Sequence, residues 1–363
     1  MKQYFIYLFI IVIGNGVLNT LMYAESQDIK LEKMVGQMVM VGVSDNNPNN
    51  PRVRTLLTHI ESGRVGGVIL LKAAIKTPRQ VKILVSSLRH VKGPFPLLIG
   101  IDQEGGAVQR LSPEKGFQHF SSAQNVGYSF SNSEAFAMYD SMAMNLMQLG
   151  INLNFGPVVD INVNPSSPVI GRVGRSFSRD AHNVYMFAKQ FVDAHHGQNI
   201  LTVLKHYPGH GSSQTDSHKG IVDITNRWTE RELYPYLKFS QDDNIDIVMV
   251  SHTTNYHIDD KPASLSYSHI QHHLRPILFQ DDIVMTDDLL MEGISHYFSL
   301  KESIIHAVNA GNDILLFADS HYQGKDIVAE VSSIIISAVK SGQISERTII
   351  TSYKRITALK KYL

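Results

Sequence analysis

Eight short runs rich in Val, Ile and Leu recur along the chain, and their spacing constrains the fold more than any other feature. They are MVMVGV (Met38 to Val43), GGVILL (Gly66 to Leu71), PLLIGI (Pro96 to Ile101), LNFGPVVDI (Leu153 to Ile161), LTVLKH (Leu201 to His206), IDIVMVSH (Ile245 to His252), DIVMT (Asp282 to Thr286) and DILLF (Asp313 to Phe317). Each is about strand length and apolar on both faces, as a strand buried in a parallel sheet must be. Helix-like stretches lie between them, such as SEAFAMYDSMAMNLMQLG and AHNVYMFAKQFVDAHHG, the second ending at a glycine where a helix C-cap belongs. Eight strand–helix units in 363 residues predict an α/β fold, a single-domain (β/α)8 TIM barrel, rather than an open doubly wound sheet.

The polar clusters fall in a pattern of their own. DQEGG follows the third run, DINVNP the fourth, HYPGHG the fifth, SHTTN the sixth and DDLLMEG the seventh. All sit at the C-terminal ends of expected strands, and in a barrel those ends converge on one mouth, where active sites of the fold lie. This placement points to an enzyme.

Composition narrows the chemistry. Lys plus Arg and Asp plus Glu number 33 each, so no net field favours nucleic acid or an anionic membrane. The absence of cysteine removes disulfides, thiolate nucleophiles and Cys-based zinc sites. At the N-terminus, Lys2 precedes YFIYLFIIVI (Tyr4 to Ile13), with small and polar residues up to Ala24. That run has the length of a signal-peptide core and is short for a bilayer span, so residues 1–24 are expected to direct export to the periplasm or the medium, with no stable membrane insertion after cleavage. After Glu25 no linker or composition break appears, so 25–363 reads as one catalytic domain.

The densest titratable stretch is LKHYPGHGSSQTDSH (Leu204 to His218). His206 and His210 have the i, i+4 spacing of zinc-binding helices, but Pro208, Gly209 and Gly211 argue against a helix, so a metal is not favoured. No Walker-type phosphate loop and no G-x-S-x-G nucleophile elbow occurs. Asp216 and His218, two residues apart, can form a carboxylate–imidazole pair that works as an acid–base near neutrality, or a surface pair in a polar loop. Asp287 and Asp288, after the seventh run, leave room for one helix N-cap and one catalytic carboxylate. Asp102 can tie down a tight turn or accept from vicinal sugar hydroxyls. Lys205 and Arg175 are surface charges or substrate donors.

With these residues in view, the chain resembles glycoside hydrolase family 3, specifically its single-domain β-N-acetylhexosaminidase (β-N-acetylglucosaminidase) branch. The resemblance rests on IDQEGGAVQRL, NLNFGPVVDINVNPSSPVIGRVGRSFSRD, LKHYPGHGSSQTDSH, PASLS (Pro262 to Ser266) and MTDDLLMEGI, in the family's order. It implies Asp287 as the nucleophile of a retaining mechanism, His218 as acid–base and Asp216 as its orienting partner. It also implies that Asp102, Arg110, Arg175, Lys205, His206 and Met291 bind the terminal sugar, with Arg172 a rival to Arg175 in GRVGRSF. The implied partner is a glycan bearing terminal β-linked N-acetylglucosamine, from peptidoglycan fragments or chitin oligomers, with no cofactor and no metal. A phosphorylase, a β-glucosidase and an inactive envelope sugar-binding protein are the alternatives.

Overall fold

The computed structural model describes residues 30–216 and 220–363. The expected signal segment and His218 lie outside the described residues. All eight runs contain strands: β1 (Val39–Val43), β2 (Gly67–Leu70), β3 (Leu98–Ile101), β4 (Leu153–Asn154), β5 (Leu201–Tyr207), β6 (Ile247–Val250), β7 (Ile283–Thr286) and β8 (Leu315–Phe317). Neighbours pair in parallel, in the order β7-β6-β5-β4-β3-β2-β1-β8. A parallel bridge between Met285 and Ile314, with Thr286 N–H donating to Ile314 O at 3.0 Å, brings the two ends of the sheet together. The result is a nearly closed eight-stranded barrel, as the run spacing predicts.

β4 is shorter than its apolar run. Pro157 has no N–H to give to a ladder, so regular pairing stops, although Val203 N–H still donates to Gly156 O at 2.9 Å and a bridge pairs Val158 with Lys205. Inside the barrel, a Cβ on Gly100 of β3 would lie 2.4 Å from the Phe155 ring. The glycine is what lets that ring fill the interior, as close-packed cores require.

Outside, the helix Asn132–Leu149 packs on the helix Ala181–Gly197, with the Tyr139 and Phe191 rings 4.8 Å apart. The first starts at a capping box between Ser131 and Glu134 and ends at left-handed Gly150. The second differs from expectation, because Gly197 stays helical and Asn199 takes the left-handed position at φ 55°. Asparagine tolerates that conformation, and Ile200 N–H closes the end on His195 O at 2.9 Å. Among the described residues, no helix is long and apolar enough to cross a membrane.

Candidate active site

Two carboxylates leave β3 in quick succession. Asp102 follows the strand directly, and Glu104 lies in the short strand Gln103–Gly105, which turns back to pair with Val108–Gln109. The turn returns Arg110 to Asp102: its N–H donates to Asp102 O at 3.3 Å and its Nη2 to Asp102 Oδ2 at 3.0 Å. From β5, Lys205 reaches in and donates through Nζ to Asp102 Oδ1 at 2.9 Å, with Glu104 Oε1 at 2.8 Å. Arg175 closes the other side, donating to Glu104 from Nε and Nη2, each at 2.8 Å.

The charges compensate. Burial pushes the Glu104 carboxyl up, but Arg175 and Lys205 together outweigh it and hold the group at about 2. Asp102 follows the same pattern, its burial overcome by Lys205 and Arg110, so its carboxyl is also lowered. Two anions and three cations thus form one cluster at the barrel mouth. Lys205 is 3% exposed, Asp102 17% and Arg110 31%, so the cluster is most open on its Asp102–Arg110 side.

His206 sits beside this group at the end of β5, next to cis peptides at Lys205–His206 and Tyr207–Pro208. Arg175 Nη2 donates to His206 Nε2 at 3.3 Å, and His206 Nδ1 donates to Asp160 Oδ2 at 2.7 Å. Asp160 also accepts from the His210 N–H at 2.7 Å, so one carboxylate anchors both ends of the HYPGH turn. Burial raises Asp160, and His206, followed by His210, outweighs it to leave the carboxyl lowered. His210 Nδ1 lies 2.8 Å from Ser213 Oγ. Burial above all holds the His210 ring down at about 4, although the Asp160 carboxylate, and less so Asp287, pull the other way.

Asp287 directly follows β7. Its N–H donates to Val250 O at 2.9 Å, tying it to β6, and its Oδ1 accepts from Asp288 N–H at 2.8 Å. Asp288 does not cap the next helix, contrary to one sequence expectation. Its Oδ1 accepts from Leu290 N–H at 3.0 Å and Ala318 N–H at 2.9 Å, so it ties the loop after β7 to the end of β8. The residue at the N-cap position of the helix Glu292–Ser295 is Met291, whose side chain makes no capping bond. His252, at the end of β6, donates from Nε2 to Asp288 O at 2.8 Å and accepts from Ser264 Oγ at 2.7 Å. Ser264 belongs to PASLS, which gives that motif a task.

The structure therefore brings Asp102, Arg110, Arg175, Lys205 and His206 together and sets Asp287 at a strand end of the same mouth. Met291 is buried in the loop that follows. Arg172 is exposed and turns away, donating to Ser166 O at 3.3 Å. Asp216 is half-buried where the described segment ends, and its expected partner His218 lies beyond it. The sequence reading singled out none of Glu104, Asp160 and His252, which the structure places around this mouth, and weighed His210 only as a metal ligand. Their signal was the same in each case, a polar residue at the C-terminal end of a strand run. Among the described residues, no three His, Asp or Glu side chains have the geometry to hold a metal.

Residues 30–359 match the family model described as Glycosyl hydrolase family 3 N terminal domain. Over 323 residues the chain is 29% identical to a Beta-hexosaminidase A of Pseudoalteromonas piscicida, covering 82% of this chain and 54% of that protein. It is 34% identical over 261 residues to a Beta-hexosaminidase of Tolumonas auensis, covering 69% of this chain and 75% of that one. A glycoside hydrolase family 3 beta-N-acetylglucosaminidase from Paenibacillus sp. superposes with a TM-score of 0.82 at 31% identity, over 91% of this chain and 62% of that chain. A Beta-N-acetylhexosaminidase from Beutenbergia cavernae superposes at 0.80 with 28% identity, over 91% and 98%. The chain thus spans about half the length of the Pseudoalteromonas relative and nearly all of the Beutenbergia one. With its eight strands, its mouth cluster and a family match running from residue 30 to 359, the chain belongs to glycosyl hydrolase family 3 through the family's N-terminal domain.

Proposed function

We propose that the protein is a retaining β-N-acetylhexosaminidase that removes terminal, non-reducing β-linked N-acetylglucosamine from glycans. The observation that carries this reading is the cluster of Asp102, Arg110, Lys205, Arg175 and His206, held by ion pairs and hydrogen bonds at the same barrel mouth as Asp287. Such a cluster offers fixed acceptors and donors to the hydroxyls of one sugar ring, and pre-organised polar groups of this kind bind without paying for reorganisation. The names of the relatives, hexosaminidases and N-acetylglucosaminidases, support the acetamido sugar.

In the first step an Asp287 oxygen attacks the anomeric carbon as the glycosidic C–O bond breaks. His218 gives its proton to the departing oxygen. In the second, His218 takes a proton from water as that water displaces Asp287, so the anomeric configuration is retained. Asp216 orients His218. Asp102, Arg110, Arg175, Lys205, His206 and Met291 hold the sugar. Peptidoglycan fragments or chitin oligomers are the substrates that fit an exported enzyme of this kind, and export itself is part of the proposal.

The test is a panel of nitrophenyl glycosides assayed with and without phosphate. The reading expects N-acetylglucosaminides to be cleaved far faster than glucosides, with no phosphate requirement. Activity confined to glucosides, or sugar 1-phosphate as the product, would reject it.

A further inference from the structure

β4 ends at Asn154, and past that point its side chain takes over the ladder. Asn154 Oδ1 accepts from Gln103 N–H at 3.1 Å, and Asn154 Nδ2 donates to Gln103 O at 2.9 Å. The last backbone register pair here is Ile101 with Asn154, so the carboxamide adds one two-point rung beyond it. The second Nδ2 proton goes to His195 Nε2 at 2.9 Å, and His195 Nδ1 donates to Phe191 O at 2.8 Å.

The polarity of this chain is forced. Phe191 O and Gln103 O only accept and Gln103 N–H only donates, which leaves one orientation for the amide and one tautomer for the imidazole. Both side chains are fully buried, and His195 stacks on the Phe191 ring at 4.0 Å between centroids. Burial holds the imidazole down at about 3, so it keeps its accepting nitrogen at neutral pH.

Gln103 stands between Asp102 and Glu104, and its side chain repeats the device. Leu111 N–H donates to Gln103 Oε1 at 3.0 Å, fixing the residue next to Arg110. Two buried carboxamides thus hold the backbone of Gln103 and Leu111, the neighbours of Asp102, Glu104 and Arg110.

We propose that Asn154, oriented by His195, is a positioning residue that holds Asp102, Glu104 and Arg110 in register for binding the sugar ring. The proposal rests on the reading of that cluster as the sugar site. Asn154 touches no substrate and acts through the Gln103 backbone.

The experiment compares Asn154→Asp, His195→Leu and His195→Gln with wild type. Asn154→Asp keeps size but replaces the Nδ2 donor with an acceptor, which then faces Gln103 O and His195 Nε2. The control is Lys360→Met at the opposite end of the barrel, where Lys360 Nζ donates to Gln37 Oε1 at 2.7 Å and Gly66 O at 2.6 Å. Misplacement of binding groups by ~1 Å costs up to about 100-fold, so Asn154→Asp should lower kcat/KM by about 10–100-fold. The loss should be equal on activated and natural glycosides and accompanied by weaker inhibition by free N-acetylglucosamine. His195→Leu should move the same way, while His195→Gln, whose carbonyl can accept from Asn154, should recover most of the activity. Lys360→Met should lower Tm and leave kcat/KM alone.

The proposal is overturned if Asn154→Asp stays within about twofold of wild type, well inside the loss expected of a misplaced group. It is also overturned if activity falls only in proportion to Tm. Should Asn154→Asp fail to fold, equal kcat/KM in His195→Leu and His195→Gln overturns it. Variant-to-wild-type ratios on the best-cleaved glycoside read the positioning role. Wild-type turnover of the N-acetylglucosaminide reads the proposed activity separately.

Discussion

Glu104 and Arg175 are joined at two points, Nε to Oε2 and Nη2 to Oε1, each 2.8 Å, within the barrel mouth. A two-point pair fixes the plane of the guanidinium as well as its position. That leaves Nη2 aimed at His206 and Nη1 donating to Val169 O at 3.0 Å, so nearly every direction of the group is set before a substrate arrives.

Lysine cannot reproduce this fork. Arg175→Lys should therefore lower kcat/KM by about 10–100-fold, mostly through KM, if the cluster proposed to bind the sugar loses its shape. Arg172→Ala, at an exposed side chain, should leave both constants unchanged. Steady-state kinetics on one N-acetylglucosaminide checks both, and a larger loss from Arg172→Ala would reverse the assignment.

Asp287 and Asp288 should separate cleanly. Asp287→Asn keeps the oxygen that accepts Asp288 N–H, so it should abolish turnover with Tm little changed. Asp288→Ala strips acceptors from Leu290 N–H and Ala318 N–H. Both bonds are part-buried and each contributes about 0.5–1.5 kcal/mol, so this variant should be measurably less stable. A slow fluorinated sugar should leave an adduct on the Asp287 peptide in mass spectrometry, and label on another residue would displace Asp287 as nucleophile.

Protonation of the leaving oxygen matters most when the leaving group is poor. Single-turnover rates of His218→Ala should thus fall far more on a natural disaccharide than on a dinitrophenyl glycoside. General acid help is worth roughly 10²–10⁴-fold, so the gap is measurable. Asp216→Ala should show the same pattern more mildly. Equal losses on both substrates would return the loop to a binding role.

Glu232 is buried against Gly209 of the HYPGH turn, where burial foremost, with the nearby Asp160 charge, lifts its carboxyl from 4.5 to about 8. The folded state therefore holds this proton more tightly than the unfolded chain does. Its stabilising effect is full below about pH 4.5 and is lost as pH rises to about 8. Glu232→Gln mimics the protonated form, so its Tm advantage over wild type should grow from pH 5 to pH 8.5. A Tm difference that is flat or shrinks over that range would show Glu232 ionised in the fold.

The strands were legible because the information is local. A parallel strand buried on both faces needs an unbroken apolar run, and all eight runs, β1 to β8, announce themselves that way. That Asp102, Lys205, His206 and Asp287 stand at the mouth was legible for a related reason, since each lies at or just past the end of such a run. What no local pattern carries is the choice of partner. Glu104 meets Arg175 across 71 residues, His206 meets Asp160 across 46, and Lys205 meets Asp102 across 103. Arg172 and Arg175 sit three apart in one glycine-rich turn, and only the folded path sends one outward and the other into the mouth. Asp288 looked like a helix cap because Asp suits that task, yet its acceptor serves Ala318, just past the end of β8. Strand burial is written residue by residue, whereas ion pairs and hydrogen bonds exist only once barrel closure has set distant side chains within about 3 Å of one another.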